Sequence, residues 1–112
     1  MKFTINALTG TEKQIAYAQD LLNKEIKAQA FQTDLFEEGA KDILANHMDV
    51  VDEVIASGAL GNVSRSDVTV SFLVKYFFKA ATPEECEDAE RMNRFGQALE
   101  ATDAHTVIEL LK

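Results

Sequence analysis

A chain of 112 residues with a hydrophobic fraction of 46% is sized for one domain (1–112) with a real core, which argues against a disordered chain. Its net charge of -8 disfavours direct nucleic-acid binding by phosphate neutralisation, which needs concentrated Lys and Arg, so none is expected. A lone cysteine, Cys86, excludes an internal disulfide, and no apolar run approaches the roughly 20 residues that span a bilayer.

The first residues, Met-Lys-Phe-Thr-Ile-Asn-Ala, are too short and polar for a signal peptide, so a cytoplasmic location is expected. Residues 2–8 read as a short extended arm with Phe3 and Ile5 on one side. One short strand is not stable alone, so the arm is expected to lie on helices. The stretch Leu8-Thr9-Gly10-Thr11-Glu12-Lys13-Gln14 then starts the first helix. Thr9 with Glu12, and Thr11 with Gln14, both have the spacing of a reciprocal capping box, and Gly10 suits tight packing or a special backbone angle. Bare amides at a helix start can bind an anion, but Glu12 at the mouth opposes a phosphate, so capping alone is the better reading. Ile15, Ala18, Leu22 and Ile26, widened by Tyr17, Leu21 and Ala28, define one buried face and predict a helix over 11–30.

Gln32-Thr33-Asp34 reads as a break, with Asp34 and Glu37 as a second capping box. The spacing of Phe36, Ala40, Ile43, Leu44, His47, Val51, Val54 and Ile55 predicts a continuous helix ended by Gly58. Residues 58–62 follow as a loop. From Val68 to Phe78 every second residue is apolar, as in a strand, while Val70, Leu73, Val74 and Phe77 equally suit a helical face. Ser66 and Asp67 offer a cap and no long partner strand is present, so a helix is preferred to unpaired backbone. Thr82-Pro83-Glu84-Glu85 combines a cap, proline in the first turn and acids at the positive helix end, and predicts a helix start. Glu87 with Arg91 and Glu90 with Arg94 have pairing distance, Ala89, Met92, Phe95 and Leu99 form the buried side, and Gly96 admits a close neighbour. Thr102 and Asp103 cap a last helix that contributes Val107, Ile108 and Leu111. The expected architecture is a mainly α bundle of about five helices with a short N-terminal arm, or an α+β fold if 68–78 is a strand.

Acids are unevenly placed. Asp34, Glu37, Glu38, Asp42, Asp49, Asp52 and Glu53 form one cluster with the single base Lys41, and Glu84, Glu85, Glu87, Asp88 and Glu90 form another. A solvated face that keeps a small protein soluble explains such clusters, and so does a surface that occupies the basic nucleic-acid groove of a partner. Asp49, Asp52 and Glu53 could hold magnesium, though carboxylates on an exposed helix face are usually only solvated. His47 fits a core or boundary histidine better than a ligand, and His105 reads as a surface residue near a helix start. Acidic neighbours disfavour a Cys86 thiolate, and no pair among His47, Cys86 and His105 has ligand spacing for zinc. Phosphate loops, nucleophile elbows and dinucleotide fingerprints are absent from the sequence. No metal, cofactor or enzymatic activity is expected.

The two ends together resemble a group of small bacterial, phage and plasmid-borne accessory proteins. That pattern opens Leu-Thr-Gly-Thr-Glu-Lys-Gln, an Ile or Val, and an aromatic-Ala pair, and closes Thr-Asp-Ala, a few residues, and Ile-Asp. Here Thr9, Gly10, Thr11, Glu12, Lys13, Gln14 and Tyr17 carry the first part, and Thr102, Asp103, Ala104 and Ile108 the second. Tyr17 stands where the group has Trp, and Thr106-Val107 replaces an aromatic pair. The resemblance implies packing of the first helix on the last and the context of a mobile element, with no activity attached to the pattern. By analogy with small acidic proteins of such elements, the expected role is binding to a host protein or protein–nucleic acid complex, as an inhibitor of a CRISPR nuclease. The competing expectation is a structural module that forms homodimers through Phe72, Tyr76, Phe77 and Phe78.

Overall fold

The computed structural model describes residues 1–112 and consists of α1 (Glu12–Ala28), α2 (Ala30–Asn46), α3 (Met48–Ser57), α4 (Val70–Ala80), α5 (Ala89–Glu100) and α6 (Ala104–Leu111), with a 3-10 turn at Arg65–Asp67. There is no sheet, so the mainly α reading holds with six helices rather than five. Of the 68–78 segment, residues from Val70 onward are helical and none is strand, because its alternating side chains have no second strand to pair with. Its cap is Thr69, whose hydroxyl accepts from the Phe72 amide at 3.1 Å. Ser64 and Asp67 instead close the preceding 3-10 turn with their own capping box.

α1 starts on the later of the two possible boxes. Thr11 accepts from the Gln14 amide at 3.1 Å, and the Gln14 side chain accepts from the Thr11 amide at 3.0 Å. The boundary with α2 falls at Gln29, not at 32–34, so the Asp34–Glu37 box does not form. The 29–34 stretch has no Gly or Pro, and packing rather than local propensity sets the bend. α1 lies on α6 while α2 lies on α4, and Gln29 and Thr33 are buried at the turn. The Thr33 hydroxyl donates back to the Gln29 carbonyl at 2.8 Å, which satisfies it inside the helix instead of at a cap. The predicted long second helix is also broken, at His47 (φ -134°, ψ 37°), and α3 re-aims Val51 into the core. Gly58 ends α3 in the left-handed conformation, as its position predicts.

The helix start at Thr82-Pro83-Glu84-Glu85 is the largest correction. Residues 82–88 form successive turns and α5 begins only at Ala89, with Asp88 making no side-chain cap. The Glu85 and Cys86 amides both donate to the Thr82 carbonyl at 3.0 Å, and the Thr82 hydroxyl donates to the Glu85 carboxylate at 2.8 Å instead of accepting an amide. Two causes act together. A helix here would stack like charges of Glu84, Glu87 and Asp88 three and four residues apart. The chain must also double back so that α5 can lie along α4. Asn93 fixes that reversal by donating its side-chain amide to the carbonyls of Phe78, Lys79 and Ala81.

The core is an aromatic column. Phe78 meets Phe36 and Phe95 edge to face, both with centroids at 4.9 Å, and Phe3 of the N-terminal arm closes on Phe95 at 5.7 Å. Leu22, Val74, Leu99 and Val107 fill the space around it. The arm is not a strand. It is held by Asn6, whose amide donates to the Leu99 and Ala101 carbonyls at the end of α5.

Candidate interaction surface

The residues at the two chain ends meet. The Thr9 amide donates to the Thr102 carbonyl and the Ala104 amide donates to the Thr9 carbonyl, both at 2.9 Å, making one parallel bridge between Thr9 and Asp103. Gly10 has φ +140°, and a Cβ there would stand 3.3 Å from the Ala104 Cβ, so the clasp needs a glycine against an alanine. Asp103 caps α6 by accepting from the Thr106 amide at 3.1 Å, and that bond above all holds its carboxyl below the usual range. Glu12, Lys13 and Tyr17 face solvent, Gln14 closes the α1 box, and Ile108 is half-buried. Tyr17, at 48% exposed, therefore widens no buried face. This region builds a joint and encloses no chemical pocket.

A second joint escapes sequence reasoning. Arg91 turns away from Glu87 and grips Glu25 of α1 with two hydrogen bonds of 2.8 and 2.7 Å, while Arg94 pairs with Glu90 at 3.4 Å. The Glu25 side chain is only 12% exposed, and the Arg91 hydrogen bonds hold its pKa below the ordinary glutamate value, aided by Gln29. No local spacing signals a pair 66 positions apart. A lowered carboxyl pKa stabilises the fold above the unfolded value and loses that contribution as pH falls through the folded one. Glu25→Gln is thus expected to cost about 1 kcal/mol at neutral pH, the upper end for a screened ion pair. The difference from the parent should vanish when both are melted in acid below the glutamate range, which thermal denaturation against pH reads directly.

The acidic clusters are less uniform than their sequence. Glu37 is half-buried, 3.3 Å from the Met1 amino group and 3.9 Å from Lys41. Asp42 lies 3.4 Å from His47 and accepts from Asn46, and Asp52 pairs with Arg65 at 3.2 Å. Asp34, Glu38, Asp49 and Glu53 are exposed and have no ion pair, and the same holds for Glu84, Glu85, Glu87 and Asp88 on the 82–88 turn. His47 is 53% exposed at a helix junction, which corrects its placement on an apolar stripe; His105 is exposed and Cys86 half-buried. No three His, Cys, Asp or Glu side chains converge as a metal-binding group, Asp49, Asp52 and Glu53 included. No helix is long and apolar enough to cross a membrane.

An apolar furrow runs along the outer side of α4. One depression of about 340 Å³ is walled by Phe36, Phe77, Ala80, Ala81, Glu85 and Cys86. A second, of about 180 Å³ and wholly apolar, shares Phe77 and reaches Val50, Val54 and Tyr76. A third, against the 59–60 loop, shares Tyr76 and Ala80. Phe78 cannot join a subunit contact as expected, because it is fully buried in the aromatic column, whereas Phe72, Tyr76 and Phe77 are half-buried on the furrow side. The sequence signal for the furrow was a second apolar stripe, Phe72, Tyr76 and Ala80, beside the buried Leu73, Val74 and Phe78.

Comparisons with protein-family models, curated proteins and solved structures found no match. The surface therefore rests on its own geometry.

Proposed function

We propose that this chain is a non-enzymatic accessory protein of mobile elements that binds a host protein or protein–nucleic acid complex, with a CRISPR nuclease as the target class. The reading is carried by the run of carboxylates on the 82–88 turn, Glu84, Glu85, Glu87 and Asp88, none of which has a cation of its own. An exposed anionic turn fits a basic nucleic-acid channel, and opposite potentials speed encounter and make it salt-sensitive. The resemblance of the clasp segments, Thr9–Gln14 and Thr102–Ala104, to mobile-element proteins supplies the biological context.

The experiment is target-plasmid cleavage by purified RNA-guided nucleases with increasing amounts of the protein. The triple substitution Glu84→Lys, Glu85→Lys, Glu87→Lys is expected to raise the inhibitory concentration at least roughly tenfold, with a parent effect that weakens as salt rises. Equal potency of parent and variant would reject the electrostatic reading. A second reading, a homo-oligomeric structural module, draws on the half-buried Phe72, Tyr76 and Phe77. Light scattering on dilution separates it, since a persistent dimer favours it and a monomer removes it.

A further inference from the structure

The furrow along α4 has a length and a charge pattern that together specify an occupant. α4 is 11 residues long, about 16 Å or three helical turns. The furrow floor is apolar, from Ala81 and Phe77 at one end to Val50 and Val54 at the other. One wall carries a carboxylate without a cation, Glu85, beside Glu84 on the 82–88 turn; on α3 the exposed Glu53, also without an ion pair, is one helical turn along from the lining residue Val50. The one cation in the wall, Lys79, is held by Glu100 at 2.8 Å.

A second copy of this chain is a poor occupant. Seven of its eleven Lys and Arg, namely Lys24, Lys41, Arg65, Lys79, Arg91, Arg94 and Lys112, are engaged by the chain's own carboxylates, which leaves only Lys2, Lys13, Lys27 and Lys75 without an ion pair. A second copy would bring another net charge of -8 against the same acidic rim. The geometry points to a basic amphipathic helix of a partner protein, laid in this furrow with its apolar face on Val50, Tyr76, Phe77 and Ala80 and its Lys or Arg side chains on Glu53 and Glu85. Helix-in-groove recognition uses anchors at successive turns, and three turns of α4 match that reach. This inference deepens the protein-binding reading above and rests on it.

The test uses a fluorescein-labelled Leu/Lys peptide with apolar residues at helical spacing, a scrambled peptide of the same composition, and a Leu/Glu peptide of the same pattern. Fluorescence anisotropy is expected to show the patterned basic peptide binding at least roughly tenfold more tightly than the scrambled one, with no binding of the acidic one. Val50→Lys with Ala80→Lys places cations on two exposed furrow positions that the core does not use. That pair is expected to weaken the basic peptide roughly tenfold or more, and Glu53→Gln with Glu85→Gln to weaken it chiefly at low salt. Asp34→Asn with Glu38→Gln, on the far face of α2, is expected to leave binding unchanged.

Equal binding of the scrambled peptide, or an unchanged affinity in the Val50–Ala80 variant, would overturn the proposal. So would a concentration-dependent dimer whose formation the same variant abolishes, because a second copy would then own the furrow. Nuclease inhibition separates this idea from the broader one. If the Val50–Ala80 variant loses the peptide yet inhibits fully, the furrow is not the contact, and binding through carboxylates stands. If the parent binds the peptide but inhibits no nuclease, the mobile-element reading fails and the furrow stands.

Discussion

Phe95→Ala is expected to cost about 4 kcal/mol, and to lower the melting temperature by roughly 15 °C in a domain of this size. Phe95 has no exposed surface and sits between Phe78 of α4 and Phe3 of the N-terminal arm, edge to face with both. Removing its ring leaves a cavity bordered by two other rings, which cannot collapse without moving α4 against α5. It also strips Phe3 of the arm of its aromatic partner. Phe95→Leu should cost less, about 1–2 kcal/mol, because it keeps most of the volume and loses mainly the aromatic geometry. Chemical denaturation of the three proteins measures the series. A loss below about 1 kcal/mol for Phe95→Ala would show that the aromatic column is not the centre of the core.

A single methyl group at residue 96 is expected to have a sign opposite to its helix propensity. Gly96 lies inside α5, where alanine ordinarily stabilises a helix by about 1 kcal/mol over glycine. A Cβ there would stand 2.7 Å from Lys79 Cγ, 2.9 Å from the Lys79 backbone nitrogen and 3.2 Å from Phe78 Cβ. The lysine side chain can swing aside, but the backbone of α4 cannot, so the helices must part. Gly96→Ala is expected to destabilise by about 1–2 kcal/mol and Gly96→Val by about 3 kcal/mol. Gly39 supplies the contrast. It is also inside a helix, α2, and a Cβ there meets nothing within 4 Å. Gly39→Ala should therefore stabilise by up to about 1 kcal/mol. Two Gly→Ala changes of the same sign would contradict the close crossing of α4 and α5.

Gly96 also shows how far local reading reached. Its small size, set in a face of Ala89, Met92, Phe95 and Leu99, predicted close approach, and all of these are buried. The same held at several helix ends whose signal and consequence lie within one turn. Thr11 with Gln14, Gly58 and Asp103 each cap or end a helix through bonds to residues at most three positions away. Reading failed where a strong local signal met a demand from elsewhere. Thr82-Pro83-Glu84 has the residues of a helix start, but the α4–α5 reversal and the carboxylate repulsion keep it in turns. His47 has helical spacing with its neighbours, yet the chain breaks there. The candidate surface follows the same division. Its carboxylates were plain in the sequence, whereas their partners, Arg65 for Asp52 and none for Glu85, were not.

The sequence alone determined most of the segments that wind and most of the faces that are oily, because hydrogen bonds across three or four residues and a period of 3.6 are local properties. Only the tertiary structure decided where α1 gives way to α2, that Arg91 reaches back to Glu25, and that the furrow along α4 stays uncovered. Those features depend on which surfaces meet across the chain. Burial free energy acts on area removed from water whatever the sequence separation, so no window of neighbouring residues contains it.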